Sequence, residues 1–535
     1  MRPLLPGLAL TGTLPYKRAE FVRGSSCVNH TTSSPPDEVP SRKERLLVLL
    51  LCALAALRTL VFCAAFPPFN NVDEHAHLDL VVKYSRGHVP RGLEPISTEA
   101  GRCLVTYGTL EYVMTPDQFP NGQFPPPLWT LPPEQAAAVL QVGLARWQSA
   151  TNHESSEPPL YYALAGAWLA AGRAAGLPDG LIPCWIRFPN ALVAAALVWL
   201  GFVAARLVSP GRRFLRLGLP ALLAVFPQDT FYSIQSDALS PVFFGITFIG
   251  LVKLLQTDTP GRRLAAVTGL ALAATCLVKT ANLPLLAVAG ATVLIRAWQL
   301  SRRDRLRMAL PGLMWLAVCA AAPVGIWFAW NLNALGDATG TAAKIQFLGW
   351  TRKPVADWLP HPIFTPSGFF EFWSDLMATF WCGEIVWHRR RLAWPAADAF
   401  YWASSALLLA LAAAGWFRKR PASDRTSLPA LALAFASFVV LVAFLVFLSV
   451  AFDFGSCFYP SRARPFFTSG RLLDGALIPF LLLYVRGLDQ ALGRRENERA
   501  RWLALAGIVV AMALSELLIN RPVFSSPFNL FHFLS

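Results

Sequence analysis

The sequence predicts an all-α polytopic membrane protein with about 11 transmembrane helices, 13 being the alternative, and a large first extracytoplasmic loop. Three observations carry this: an apolar composition, repeated long apolar runs, and basic clusters between those runs. Of the 535 residues, 55% are hydrophobic and 15% are charged, and the mean hydropathy is +0.44. A soluble chain is near half apolar and a quarter charged. Many runs reach roughly 18 residues, the length that spans a bilayer. Barrel-like alternation is missing. The net charge of +15 is explained by cytoplasmic loops, which concentrate Lys and Arg. No nucleic-acid motif is present, so no nucleic-acid partner is expected.

Residues 1–45 read as a flexible cytoplasmic tail containing SSPPDEVPS. No apolar stretch there is followed by a cleavage site, so the first span, 46–66, is an uncleaved anchor. The SRKER cluster before Leu46 holds the N-terminus inside. A transmembrane domain occupies 46–519. Its first extracytoplasmic loop is 69–157, with short helices such as 133–150 lying on the membrane surface.

The middle of the chain is built from hairpins. Basic loops 209–216 and 257–263 make 217–256 one hairpin, with FPQDTFYSIQSD at its outer tip, and 264–298 another, with Lys279 and Thr280 at its tip. Parity then demands an odd number of crossings between 158 and 208, where two apolar pieces lie, about 159–175 and 188–207. One of them is re-entrant, or a loop is misplaced. A span at 310–331 leads to a second long extracytoplasmic segment, 332–396. Further spans are expected at 397–416, 428–451, 472–487 and 502–519, with 520–535 an extracytoplasmic tail. The basic clusters Arg418-Lys419-Arg420 and Arg494-Arg495 separate them on the inside. The two halves do not mirror each other as transporter repeats do. The nine cysteines show no CxxC spacing. Free thiols are the simpler expectation, one disulfide among Cys103, Cys382 and Cys457 the alternative.

Asp73 and Glu74 stand in FPPFNNVDEHAHLDL, just past the first span. Ionisable groups at a membrane face are functional candidates, and a carboxylate there can deprotonate an acceptor hydroxyl. The competing reading is a hydrated polar loop. His75, His77 and Asp79 follow, but H-x-H alone does not fix a metal geometry. The second motif, NHESSEPPLYY, places His153, Glu154 and Glu157 before a proline-started helix. It reads equally as a plain helix start with interfacial tyrosines. Asp229 and Asp237 lie at the outer tip of the 217–256 hairpin, and Asp237, at a span entrance, reads equally as a ligand or as a helix cap. Lys279, alone in CLVKTANLPLL, must snorkel or pair. Arg462, Arg464 and Arg471, in YPSRARPFFTSGRLLDG, run against the positive-inside bias. Their forks match phosphate oxygens, with Arg471 favoured and Lys279 second. Arg58, inside the first span, either pairs with a neighbouring helix or snorkels. Glu384 and His388 are further candidates to line a cavity.

Together these features resemble the GT-C superfamily of polyprenyl-phosphate-sugar-dependent glycosyltransferases. The likeness covers most of 46–490. It consists of the Asp73-Glu74 pair, the long first outer loop, EPPLYY, QSDAL, LVKTANL, WNLNALGDATG and SGRLLDG. Within that superfamily the pattern is similar to a bacterial family of predicted membrane proteins of unassigned function, with D-E-x-x-H, Q-P-P-L-Y-Y, R-N-x-x-x-Y-G-D and G-R-Y motifs. This chain carries Glu157, Trp330 and Leu472 where that family usually has Gln, Arg and Tyr. The resemblance implies a GT-C-like fold and inverting transfer from a polyprenyl-phosphate-linked donor to a glycan, lipid or protein acceptor. Asp73 would be the catalytic carboxylate, aided by Glu74. Substrate binding would fall to His77, His153, Glu154, Asp237, Lys279, Arg462, Arg464 and Arg471. A divalent metal is open, as relatives differ. The implied location is a bacterial inner membrane, with the active site extracytoplasmic. Two other classes compete: an O-antigen ligase or polymerase, whose main outer loop lies late in the chain, and a lipid or solute transporter or flippase, which would want broken, pseudo-repeated spans.

Overall fold

The computed structural model describes residues 41–417, 427–457, 459–493 and 498–533. The expected tail over 1–40, Cys27, and the clusters at 418–420 and 494–495 lie outside the described residues. Helix α1, Arg42–Ala65, starts where the Ser41 hydroxyl accepts from the Glu44 N–H at 3.1 Å. It stops at Phe66, which is extended because the residue before a proline is pushed from the helical region. Among the described residues, eight helical stretches are long and apolar enough to cross a membrane. The chain is thus a mostly helical membrane protein. Its short β-bridges join residues 94–95 to 151–152, 351–352 to 452–453, and 386–387 to 390–391.

Four helices follow: α2 (Glu74–Ser85), α3 (Thr98–Tyr107), α4 (Pro133–Gln148) and α5 (Pro159–Ala174). Then come α6 (Ile182–Arg187), α7 (Asn190–Val208), α8 (Arg213–Ala224), α9 (Ser240–Gln256) and α10 (Arg262–Val278). The chain continues through α11 (Leu283–Ser301), α12 (Leu306–Leu335), α13 (Thr341–Phe347), α14 (Pro366–Cys382) and α15 (Pro395–Ala414). Helices Leu428–Ala451, Leu477–Gly493 and Glu498–Ile519 complete the bundle.

The parity problem between 158 and 208 has a geometric answer. Glu157, at the start of α5, and Arg187, at the end of α6, both lie beside one polar cluster, on Lys279 and Glu74 respectively. The α5–α6 segment therefore returns to the face it left. Its two arms are stitched by Trp168 and Trp185, whose rings stack at 4.4 Å and exchange indole-to-carbonyl hydrogen bonds. Only α7 then runs on to Arg212 and Arg213.

The expected 217–256 hairpin differs more. Its first arm, α8, has 12 residues, about 18 Å long, too short for a hydrocarbon core of about 30 Å. Residues 225–238 are buried, with two short 3-10 helices (Asp229–Tyr232 and Ser236–Leu239) linked by irregular backbone, rather than an exposed outer tip. Irregular backbone that is buried persists only where its polar groups find partners within the protein. Here Gln228 donates to the Thr379 and Phe380 carbonyls, and Asn190 donates to the Ser233 carbonyl. The segment 332–396 is likewise not all loop. Within it, Phe370, Trp373 and Trp381 of α14 all meet residues 401–405 of α15. Helix α14 thus crosses α15 instead of running along it. All eight described cysteines are free.

Two ion pairs lock the bundle. Arg58 of α1 bonds Glu516 at 2.6 Å, with Tyr232 beside both, so it pairs rather than snorkels. Arg187 grips Glu74 and donates to the Phe66 carbonyl at 2.6 Å and the Pro67 carbonyl at 3.2 Å. Replacing Arg187 with Ala would strand the buried Glu74 carboxylate. The expected loss is about 3–5 kcal/mol, read as a lower thermal midpoint in detergent. The double variant Arg187→Met with Glu74→Gln recovers part of it. A single variant as stable as wild type would refute the clamp.

Candidate functional site

The site begins with a turn. The α1 exit prolines and the Glu74 clamp fix residues 67–74. Glu74 accepts from the Phe69 N–H at 2.9 Å and the Ile234 N–H at 2.8 Å. Within this frame Asp73 takes a left-handed backbone, φ +63°, a conformation that Asp tolerates better than most residues. It sits at the N-terminus of α2, where the helix dipole favours negative charge. Its side chain is 20% exposed.

Each Asp73 oxygen meets a different partner. Oδ1 lies 3.1 Å from His153 Nε2, and Oδ2 accepts from Arg471 at 2.8 Å. Arg471 also donates to the Gln235 amide oxygen at 3.2 Å and lies 3.5 Å from Glu384. His153 reaches Glu154 at 3.3 Å, and its ring stacks on Phe347 of α13. Lys344 of α13 bridges Glu154 at 2.6 Å and Glu157 at 3.1 Å. Lys279 lies 3.7 Å from Glu157 and 3.6 Å from Asp237. The result is a single chain of alternating charges.

Burial raises carboxylate pKa values and lowers those of cations; close opposite charges reverse this. For Asp73, burial pushes upward, but the His153 hydrogen bond and the Arg471 charge win and hold it well below the usual range. Burial lowers His153, yet hydrogen bonds to Asp73 and Glu154 lift it to about 9. It is therefore an imidazolium at neutral pH. Glu154 is held low against burial by Lys344 and Lys279, whereas burial keeps Glu157 raised. Behind Arg471, burial and Glu384 push Asp229 to about 7, although it accepts from the Glu384 and Ile385 N–H groups at 2.7 Å.

Of the residues singled out in the sequence, Asp73, His153, Glu154, Asp237, Lys279 and Arg471 come together here. Glu74 lies next to them but is fully enclosed by Arg187 and backbone amides. His77 is buried, its Nδ1 2.7 Å from the Tyr162 hydroxyl. Arg462 and Arg464 stand apart, exposed, on Asp453 and Glu371. His388 packs on Phe124, away from the cluster. Asp79 does not join it either; it anchors Asn152 at 2.8 Å and so places His153. The sequence did not reveal Lys344, Arg187 or Gln235. Lys344 is one lysine in a long outer segment, and no local pattern marks it. Arg187 ends an apolar piece and reads as a flanking charge.

Asp73, His153 and Glu154 offer ligand atoms within 4.8 Å of one another. Two carboxylates and an imidazole suit a divalent cation, so this donor set fits one, provided that His153 gives up its proton.

The family of predicted membrane proteins DUF2142 matches residues 57–456. The chain belongs to that family. Among curated proteins none matches this DUF2142 chain. A solved structure similar to it is the archaeal oligosaccharyltransferase AglB from Archaeoglobus fulgidus, in complex with an inhibitory peptide and a dolichol-phosphate. The identity is 12% and the TM-score 0.40, over 91% of this chain and 56% of that one. The DUF2142 chain thus spans little over half of AglB, and similarity at this level fixes neither fold nor function.

Gly470 lets the Arg471 segment dock. A Cβ there would stand 2.0 Å from the Phe380 backbone nitrogen at the end of α14. Gly470→Ala is expected to cost about 1–3 kcal/mol, as forced overpacking does, seen as a lower thermal midpoint. An unchanged midpoint would show that the contact has slack.

Proposed function

We propose that this protein is a membrane glycosyltransferase of GT-C type, moving a sugar with inversion from a polyprenyl-phosphate-linked donor to an extracytoplasmic acceptor. One observation carries the reading: a part-exposed, ionised Asp73 shares its two oxygens between an imidazolium and the Arg471 fork. A base for an acceptor hydroxyl and a cation for a departing phosphate are thereby adjacent.

In the proposed step, the acceptor oxygen attacks the anomeric carbon from the face opposite the phosphate. Its proton passes to Asp73. The bond from the anomeric carbon to the phosphate oxygen breaks, and the phosphate leaves with the electron pair. Arg471 and Lys279, with His153 nearby, stabilise that charge. A depressed Asp73 is a weak base by itself. When the donor phosphate draws Arg471 away, the charge that depresses Asp73 weakens, and its basicity rises. Base strength is thus tied to donor occupancy. Glu74 acts through the turn that it holds. A divalent ion on Asp73, His153 and Glu154 would add positive charge beside the leaving phosphate.

The network face is assigned to the outside. It lies at the end of α1 remote from Arg42, Lys43 and Arg45, and at the ends of α10 and α11 remote from Arg262 and Arg302. That polarity supports an extracytoplasmic site by the positive-inside rule. Residues 69–157 and 332–396 are then the outer segments.

Asp73→Asn removes the base while keeping size. Transfer is expected to fall roughly a hundredfold or more in purified protein supplied with a short-chain polyprenyl-phosphate sugar. A wild-type rate would rule out the role. Arg471→Lys should weaken donor binding and slow transfer, and Arg471→Ala should do both more severely, since lysine cannot reproduce the fork. Asp73→Asn should leave donor binding close to wild type. Binding of polyprenyl phosphate to nanodisc-embedded variants measures this, and normal affinity in Arg471→Ala would move the phosphate site elsewhere.

A further inference from the structure

Apart from the charged network lies a cavity of about 440 Å³. That is within the roughly 300–1,000 Å³ typical of small-molecule sites. Its walls come from both limbs of the ribbon joining residues 351–352 to 452–453. One limb supplies Lys353, Asp357 and His361; the other supplies Asp453 and Arg462. Phe452 and Phe454 back it and are buried. In the chain, Lys344 of the network precedes the first limb and Arg471 follows the second.

Two of the charged groups here are unpaired. Among the described residues, the Lys353 ammonium and the Asp357 carboxylate have no ion-pair or side-chain hydrogen-bond partner. His361 is 4% exposed. Its Nδ1 accepts from the Ile363 N–H at 3.1 Å, so the ring proton sits on Nε2. That nitrogen is turned to the Pro465 carbonyl, short of good hydrogen-bond geometry. Arg462 and Asp453 bond at 2.9 Å, and Arg462 remains 71% exposed. Lys353 is half-buried and Asp357 exposed, so both can meet a ligand that enters the cavity. A few convergent polar groups on a concave wall are what fix a small molecule's orientation.

We infer that this cavity is a carbohydrate subsite, holding sugar units of the acceptor glycan away from the reacting hydroxyl. The inference rests on the glycosyltransferase reading for the ligand's role, and on the lining for its class. Sugar hydroxyls donate and accept at once. They match a wall where a free ammonium and a free carboxylate alternate. A phosphate would face Asp357 and Asp453, and a lipid tail would face four charged side chains. The lining disfavours both.

The test uses the full chain in lipid nanodiscs and saturation-transfer NMR with maltose, cellobiose, mannobiose and N,N′-diacetylchitobiose. Inorganic phosphate and a short-chain polyprenyl phosphate are added as competitors. At least one disaccharide should bind wild type. Lys353→Ala and Asp357→Ala should each weaken it about tenfold or more, the loss of a charged hydrogen-bond partner. Arg471→Ala should leave it unchanged, and Lys353→Arg should retain most of it. Absence of binding by every disaccharide, binding indifferent to both alanine variants, or displacement by either phosphate compound would overturn the subsite. Transfer is assayed in parallel. Disaccharide binding without any transfer would sink the glycosyltransferase reading and leave the subsite standing. Transfer without disaccharide binding would do the reverse.

Discussion

The contact on which the site depends is the 2.8 Å bond between Asp73 and Arg471. It joins the turn after the first helix to a segment nearly four hundred residues later. Neither charge could lie so deep alone, because desolvating an unpaired ion costs more than any packing returns. Each is therefore held where the other can reach it. Arg471 is steered by Gln235, Glu384 and the glycine contact at Phe380. Asp73 is steered by a turn that Arg187 and Glu74 hold shut.

The adjacent carboxylates, Asp73 and Glu74, illustrate how neighbours in sequence acquire different work. Glu74 points into protein and spends both oxygens on Arg187 and backbone amides. Its role is to maintain a left-handed backbone at Asp73. Asp73 keeps a fifth of its side chain open. The left-handed backbone is thus held at the carboxylate of the pair that faces solvent, a pattern common where geometry is set for a ligand.

Charge balance shapes the rest. Arg471, Lys279, Lys344 and His153 all touch carboxylates already. A phosphate arriving here must displace a carboxylate rather than fill a void. Lys344 is the most exposed of the lysines at the cluster, on the short helix α13. Phe347, on the same helix, stacks on His153. The cations are therefore shared between holding the fold together and meeting a ligand.

Long apolar runs and the basic residues between them are local facts, and the sequence alone determined them. The run at 428–451 coincides with the helix Leu428–Ala451 because a bilayer demands internal backbone hydrogen bonds along the whole run. The sequence also marked Asp73, His153, Lys279 and Arg471, because each is a charge or a histidine where an apolar run ends. Three further features were decided by tertiary structure. The 225–238 segment is buried because α14, Asn190 of α7 and Glu74 take up its hydrogen bonds. The α5–α6 segment turns back because Trp168 and Trp185 lock it. Lys344 and Arg187 matter through partners 190 and 113 residues away. Hydropathy is summed over neighbours in sequence, whereas a buried charge is settled by neighbours in space, and only the folded chain brings those together.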